Sequence, residues 1–125
     1  MGTPRVLIVE DEPNIVLSLE ILLRRAGYET VSAADGDEAL DLIRRTRPDV
    51  VLLDIMLPKR NGYEVCRAMK SDAALASIPV IMLTAKGQEV EILKGLELGA
   101  WAYIAKPFGN AEVLEAVRAA LESRA

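Results

Sequence analysis

The segment VVLLDIMLP, residues 50–58, places a carboxylate inside an apolar run. Four apolar residues precede Asp54, and Ile55, Met56 and Leu57 follow it directly. A charged group among apolar neighbours is costly unless something compensates it. Asp54 is therefore either a surface residue at the end of a strand or part of a functional site.

Other polar residues follow apolar runs in the same way. Glu10 and Asp11 follow VLIV, Thr84 follows VIML, and Lys106 follows AYIA. Each has an ordinary interpretation when taken alone, because an aspartate at a strand end is usually a turn or a cap and a Lys-Pro pair is usually a turn. Together they form a specific pattern, because four of five expected strands would carry their polar residues to one edge.

The elements that must position these residues alternate along the chain. Five apolar runs separated by helical patterns predict an α/β domain with a parallel sheet covered on both faces. We expect strands at residues 5–9, 29–33, 49–53, 79–83 and 102–105, and helices at about 13–27, 35–47, 62–71, 88–98 and 110–123. Asp35 and Glu38 resemble a capping box at the start of the second helix.

In a doubly wound sheet, ligands bind beyond the carboxyl ends of the strands, where the winding reverses. With a strand order of 2-1-3-4-5, that reversal lies between the first and third strands, where Glu10, Asp11 and Asp54 would meet. Carboxylates about 4 Å apart repel by on the order of 4 kcal/mol per pair at an effective dielectric constant near 20. Because Lys106 supplies only one positive charge, we expect a divalent cation. Oxygen ligands without histidine or cysteine favour Mg²⁺.

A metal-bound carboxylate beside a lysine and a hydroxyl suits phosphoryl transfer, in which positioning and charge neutralisation do most of the work. Asp54 would then be the nucleophile and become an aspartyl phosphate. Mg²⁺ and Lys106 would balance the incoming charge, and Thr84 would hydrogen-bond a phosphoryl oxygen.

Composition excludes several other functions. The 125 residues fit one domain, 1–125, and no effector domain or membrane span is expected. A net charge of −4 argues against direct nucleic-acid binding. The chain has no histidine, so it cannot carry a phosphohistidine or a Ser-His-Asp site. The single cysteine, Cys66, allows no internal disulfide, and these features favour the cytoplasm.

At these residues the sequence resembles the receiver domain of bacterial two-component response regulators. The resemblance runs from VLIVEDE through DVVLLDIMLPKRNGYEVC and IPVIMLTAKG to GLELGAWAYIAKPF. It implies a flavodoxin-like fold with five strands and five helices. It also implies a signalling module that accepts phosphate on Asp54 from a sensor histidine kinase or a phosphotransfer protein, and that acts as an enzyme only on itself.

The resemblance also assigns roles to individual residues. Asp11 and Asp54 would bind Mg²⁺ directly, Glu10 would assist, and the backbone carbonyl of Met56 would complete the protein ligands. Thr84 and Tyr103 would be the switch residues. Lys106 would bind the phosphoryl group, and its peptide bond to Pro107 would be cis.

Phosphorylation would then repack the surface formed by the fourth helix, the fifth strand and the fifth helix, which an output protein or a second copy could bind. The transcription-factor branch of the family usually carries charges there, including the sequence GADDY. This chain has GAWAY instead, with Trp101, Ala102 and Tyr103, and it has Ile92 and Ala116 where that branch usually has arginines. The expected partner surface is therefore more apolar, unless Trp101 only covers the sheet edge.

Two alternatives to the phospho-switch remain open at this point. The chain could be a pseudo-receiver that binds partners without phosphorylation, although the complete set of polar residues argues against that. It could also be a phosphatase with an aspartyl-phosphate intermediate. Such enzymes usually have a second carboxylate two residues after the nucleophile, where this chain has Met56.

Overall fold

The elements described below come from a computed structural model that describes residues 2–85 and 96–124. The five strands are β1 (Arg5–Val9), β2 (Glu29–Ala33), β3 (Val50–Asp54), β4 (Val80–Ala85) and β5 (Ala102–Lys106). The described helices are α1 (Pro13–Arg25), α2 (Gly36–Thr46), α3 (Gly62–Lys70) and α4 (Asn110–Arg124). None of these helices is long and apolar enough to cross a membrane.

The strands form one parallel sheet in the order β2-β1-β3-β4-β5, which confirms the predicted topology. The winding reverses between β1 and β3. The described part of the chain contains four helices rather than the predicted five, because the helix expected at 88–98 lies mostly outside the described residues. Helix α4 corresponds to the fifth predicted helix.

The sheet is buried on both faces, which explains why its central strands are continuously apolar. Alternate side chains of β1 and β3 point to opposite faces. Leu7 and Leu53 lie in one core cluster with residues of α2 and α3, whereas Ile8 and Leu52 lie in a second cluster with residues of α1 and α4. Burying each such side chain stabilises the fold by roughly 1.5–3 kcal/mol, so the central strands form a rigid base for their carboxyl ends.

Local capping explains where α2 and α3 begin. The Asp35 side chain accepts a hydrogen bond from the Glu38 N–H (2.8 Å), as the sequence predicts. The Glu38 carboxylate, however, reaches back to the N–H of Ala34 (2.7 Å), one residue before the cap. Helix α3 begins at a full capping box between Asn61 and Glu64, which is not among the features predicted from the sequence.

Candidate functional site

The polar residues predicted to act together lie at one edge of the sheet. Asp54 ends β3 and Lys106 ends β5, while Glu10 and Asp11 directly follow β1. The register pairs Asp54 with Leu83, the residue before Thr84, and pairs Thr84 with Ala105, the residue before Lys106. Parallel pairing therefore brings the four strand ends to about the same level.

The three carboxylates converge on one small volume. Oxygen atoms of Glu10, Asp11 and Asp54 all lie within 4.8 Å of one another. Glu10 is only 1% exposed and Asp54 only 6%, whereas Asp11 is exposed to solvent. Two buried negative charges and one exposed charge therefore share the point where the winding reverses.

Glu10 is held by hydrogen bonds to both of its carboxylate oxygens. Oε2 accepts from the backbone N–H of Asp11 (3.0 Å) and of Glu12 (3.3 Å). Oε1 accepts from the Lys106 ammonium at 2.7 Å. These contacts fix the buried carboxylate and compensate part of its lost hydration.

Asp54 is bound by the same lysine and by its own loop. Lys106 Nζ lies 3.1 Å from Asp54 Oδ2, and the Met56 N–H donates to Asp54 Oδ1 at 3.3 Å. Burial alone would lower the pKa of Lys106, but the hydrogen bond to Glu10 and the charges of Asp54 and Glu10 outweigh it. The pKa is therefore raised above its ordinary value, and Lys106 stays cationic at neutral pH.

Thr84 brings a buried hydroxyl to the same edge. Its residue is 1% exposed, and its Oγ1 has no hydrogen-bond partner within the described residues. Leaving a buried hydroxyl unpaired costs about 1–3 kcal/mol. A ligand oxygen that reached this hydroxyl would recover part of that cost.

A cleft of about 350 Å³ opens over this edge of the sheet. The Met56 side chain at its rim is 69% exposed. The cleft is lined by residues from the ends of β1, β3, β4 and β5, namely Asp11, Glu12, Asp54, Ile55, Met56, Leu83 and Lys106. A phosphoryl group could therefore reach Asp54 from solvent without opening the core.

The donor set fits a hard divalent cation. The cluster of Glu10, Asp11 and Asp54 offers carboxylate oxygens alone, which suit Mg²⁺ better than transition metals. Three carboxylates and the one ammonium of Lys106 leave a net charge of −2, which one divalent cation would balance.

The other residues singled out from the sequence lie along β5 and beside it. The peptide bond between Lys106 and Pro107 is cis. Trp101 and Tyr103 are 40% and 46% exposed, whereas Ala102 and Ala116 are partly buried. Ile92 lies outside the described residues.

Two glycines that sequence reasoning missed support the segment after Asp54. A β-carbon on Gly62 would lie 2.6 Å from the backbone oxygen of Asp54. One on Gly36 would lie 2.2 Å from the backbone oxygen of Arg60. Only glycine allows such close backbone approach. The Asn-Gly pair at 61–62 is a sequence signal for a turn at Gly62. No local sequence pattern indicates the contact between α2 and the distant Arg60.

This geometry defines a class of protein, namely a doubly wound α/β domain. Its acidic site lies where the winding of the sheet reverses, and one lysine binds two of the three carboxylates. A family profile described as the response regulator receiver domain matches residues 6–118. The chain therefore belongs to the response regulator receiver domain family. Signalling modules of this family are not classical enzymes.

Sequence relatives agree with this assignment. The chain is 45% identical over 117 residues to the DNA-binding response regulator MtrA of Mycolicibacterium smegmatis, an alignment that covers 94% of this chain and 50% of MtrA. The chain spans about half the length of the curated relatives that it matches.

Solved structures show the same fold. A protein from Chloroflexus aurantiacus J-10-fl, described as a response regulator, superposes with a TM-score of 0.94 at 37% identity over 97% of this chain and 99% of that one. The receiver domain of the sensor histidine kinase PA1611 from Pseudomonas aeruginosa PAO1 superposes with a TM-score of 0.89 at 31% identity, over 97% and 99% of the two chains. That structure has a magnesium ion coordinated in its active-site cleft.

Proposed function

We propose that this chain is a Mg²⁺-dependent phospho-switch that accepts a phosphoryl group on Asp54. One observation carries the proposal. Lys106 joins the buried carboxylates of Glu10 and Asp54, and the same edge of the sheet carries a buried Thr84 hydroxyl that has no partner among the described residues. Such a site presents a nucleophile, a cation and a hydrogen-bond donor to one incoming group.

In the transfer, an Asp54 carboxylate oxygen attacks the phosphorus of a phosphohistidine on a sensor kinase or a phosphotransfer protein. A phosphorus–oxygen bond forms and the phosphorus–nitrogen bond breaks, leaving its electron pair on the donor nitrogen. The donor leaves as a neutral histidine because its other ring nitrogen carries a proton before the transfer. Lys106 moves from Asp54 Oδ2 to the new phosphoryl oxygens, because they carry more negative charge than the carboxylate. Asp11, Asp54 and the Met56 carbonyl, with Glu10 assisting, would hold Mg²⁺, which supplies charge neutralisation for the transferring group.

The switch would follow from the Thr84 hydroxyl. Once a phosphoryl oxygen is present, Thr84 gains its missing hydrogen-bond partner and moves toward the site. Tyr103, which is 46% exposed, would then turn inward. We expect this to repack β5 and α4, together with the helix that the sequence predicts at 88–98, and a partner responds only if it distinguishes the two packings.

We also propose the partners of this chain and the compartment in which it acts. A histidine kinase or phosphotransfer protein must supply the phosphoryl group, because the chain has no histidine of its own. The output would be a protein or a second copy bound at the repacked surface, with no direct contact to nucleic acid by this chain. We place the reaction in the cytoplasm, since the one cysteine allows no internal disulfide.

Mass spectrometry of the intact protein tests this function. After incubation with Mg²⁺ and acetyl phosphate, the wild-type chain should gain the mass of one phosphoryl group, and the gain should disappear with a chelator. The variant Asp54→Ala should gain none. Asp41→Ala, which changes an exposed aspartate of α2 that pairs with Arg45, is the matched control and should be modified like the wild type.

The same experiment separates the alternatives. A pseudo-receiver would not be modified at all. A phosphatase would hydrolyse its phosphorylated intermediate quickly, so that little phosphorylated chain would accumulate, whereas a switch that dephosphorylates itself should still accumulate the phosphorylated form.

A further inference from the structure

The segment that follows Asp54 is attached to a helix from a different part of the chain. We call residues 55–61 the acceptor loop. The loop is closed by a hydrogen bond from the N–H of Gly62, the residue that follows it, to the carbonyl of Ile55, its first residue (2.9 Å). Its middle lies against the first turn of α2, around Gly36. The loop carries the Met56 N–H that bonds Asp54, so its position bears directly on the site.

Three contacts join the N-terminus of α2, including its N-cap residue Asp35, to the acceptor loop. The Gly36 N–H donates to the Pro58 carbonyl (3.3 Å). Arg60 Nε lies 2.8 Å from Asp37 Oδ1, and Lys59 Nζ lies 3.7 Å from Asp35 Oδ2. Both ion pairs are at least partly exposed, so each contributes little energy and mainly aligns the two segments.

Gly36 is the centre of this contact. A β-carbon there would lie 2.2 Å from the Arg60 carbonyl oxygen and 2.8 Å from the Arg60 carbonyl carbon. Ordinary contact begins near 3.4 Å. The atoms it would strike are the Arg60 carbonyl group and the Arg60 β-carbon (2.4 Å), which is fixed to the backbone, so none of them can rotate away. Any side chain at Gly36 must therefore push the loop from α2 by roughly 1 Å.

We infer that Gly36 is a positioning residue for the phosphoryl-acceptor site, acting through the acceptor loop. The inference rests on the proposed function. The two backbones touch without a side chain between them, and this fixes how far the loop lies from α2. The loop's first residues carry the Met56 backbone beside Asp54. A displacement of about 1 Å at a reacting group can reduce a rate about 100-fold.

The main test is the Mg²⁺ affinity of Gly36→Ala, measured by calorimetric titration with the metal alone. We expect the dissociation constant to rise about tenfold and phosphorylation by acetyl phosphate to slow at least about tenfold. Gly2→Ala, where a β-carbon meets nothing within 4 Å, is the control. A purely structural role would lower the melting temperature in chelator without changing the dissociation constant, and that result would overturn the inference.

A second variant does not depend on Gly36→Ala folding. Asp37→Lys reverses a charge that faces Arg60 and should push the loop outward, raising the Mg²⁺ dissociation constant about threefold. Asp41→Lys makes the same charge change on the same helix, at a residue that pairs within the helix with Arg45. If both variants weaken Mg²⁺ equally, the effect is only the long-range field and the inference fails. If the wild type neither binds Mg²⁺ nor takes up phosphate, the proposed function itself fails.

Discussion

At the residue scale, Thr84 is the most informative side chain of the site. The structure buries its hydroxyl without giving it a partner among the described residues. Within the described residues, nothing replaces the hydrogen bond to water that such a group loses on burial, which costs about 1–3 kcal/mol. A phosphoryl oxygen on Asp54 would supply a partner, so the phosphorylated state should satisfy the hydroxyl.

The variant Thr84→Val tests this view of the hydroxyl. Valine has the shape of threonine without the unpaired group, so the unphosphorylated variant should be as stable as the wild type or more stable by about 1 kcal/mol. The stabilisation produced by Mg²⁺ and the phosphoryl analogue beryllofluoride should shrink by about 1 kcal/mol, because a hydrogen bond to a charged oxygen is lost. Denaturant unfolding with and without beryllofluoride measures both quantities.

Thr46→Val is the matched control, because the Thr46 hydroxyl donates to the Leu42 carbonyl at 2.7 Å. That variant should lose up to about 1 kcal/mol in the resting protein and keep the full response to beryllofluoride. If Thr84→Val behaved like Thr46→Val, the Thr84 hydroxyl would have no role in the switch.

The sequence predicts those parts of the structure that follow from short periodic patterns. Apolar runs predict β1 and β2 with correct bounds and β3 displaced by one residue, whereas the predicted β4 begins one residue and ends two residues before the observed strand. Because polar residues follow the apolar runs, the sequence also places Glu10, Asp54 and Lys106 at one edge. The individual ion pairs of Lys106 with both Glu10 and Asp54 are not predicted, because these residues are 96 and 52 positions from Lys106. Nothing local encodes such a contact.

The acceptor loop shows the same limit more clearly. Gly36 and Arg60 are far apart in sequence, and neither has a neighbour that signals their backbone contact. Glycine in Asp-Gly pairs is common in turns, so the sequence alone explains Gly36 without that contact. The close approach becomes visible only once α2 and the loop are packed together.

At the scale of elements, β5 completes the site by bringing a cation to two buried carboxylates. Lys106→Met should therefore destabilise the metal-free protein by about 2–3 kcal/mol, because removing one member of a buried ion pair leaves the others uncompensated. Mg²⁺ should restore part of this loss, so its stabilising effect should be larger in the variant than in the wild type. Thermal unfolding in chelator and in saturating Mg²⁺ measures the difference.

Lys70→Met provides a comparison at the opposite edge of the sheet. The Lys70 ammonium donates to the carbonyls of Ala76 and Ile78 (2.9 and 3.2 Å) and contacts no carboxylate of the site. Its loss should destabilise the protein by a similar amount with and without Mg²⁺. Equal responses of the two variants to Mg²⁺ would contradict the role assigned to Lys106.

At the scale of the whole molecule, the exposed aromatic residues of β5 and its approach suggest how the chain meets a partner. Trp101 directly precedes β5 and Tyr103 lies within it. Because the two residues are two positions apart, they lie on the same side of the extended chain. Both are substantially exposed. Large exposed apolar groups that lie together often mark protein contacts. The net charge of −4 means that two copies repel weakly at low salt.

We therefore expect the activated protein to associate through an apolar contact rather than through ion pairs. In Mg²⁺ and beryllofluoride, self-association measured by size-exclusion chromatography should persist or strengthen as salt increases, because salt screens the repulsion and leaves apolar burial intact. Trp101→Ala should weaken it by about 2 kcal/mol, roughly 30-fold in the dissociation constant, as expected for a buried aromatic anchor.

The double variant Leu17→Ala/Ile21→Ala is the control for this contact, since it removes exposed apolar side chains from α1 instead. It should leave the association unchanged. The charged contact usual in the transcription-factor branch predicts the opposite behaviour, with a dimer that dissociates as salt rises and tolerates the loss of Trp101. Salt dependence and the Trp101 variant therefore test the same contact by independent physical routes, and an apolar interface requires both results.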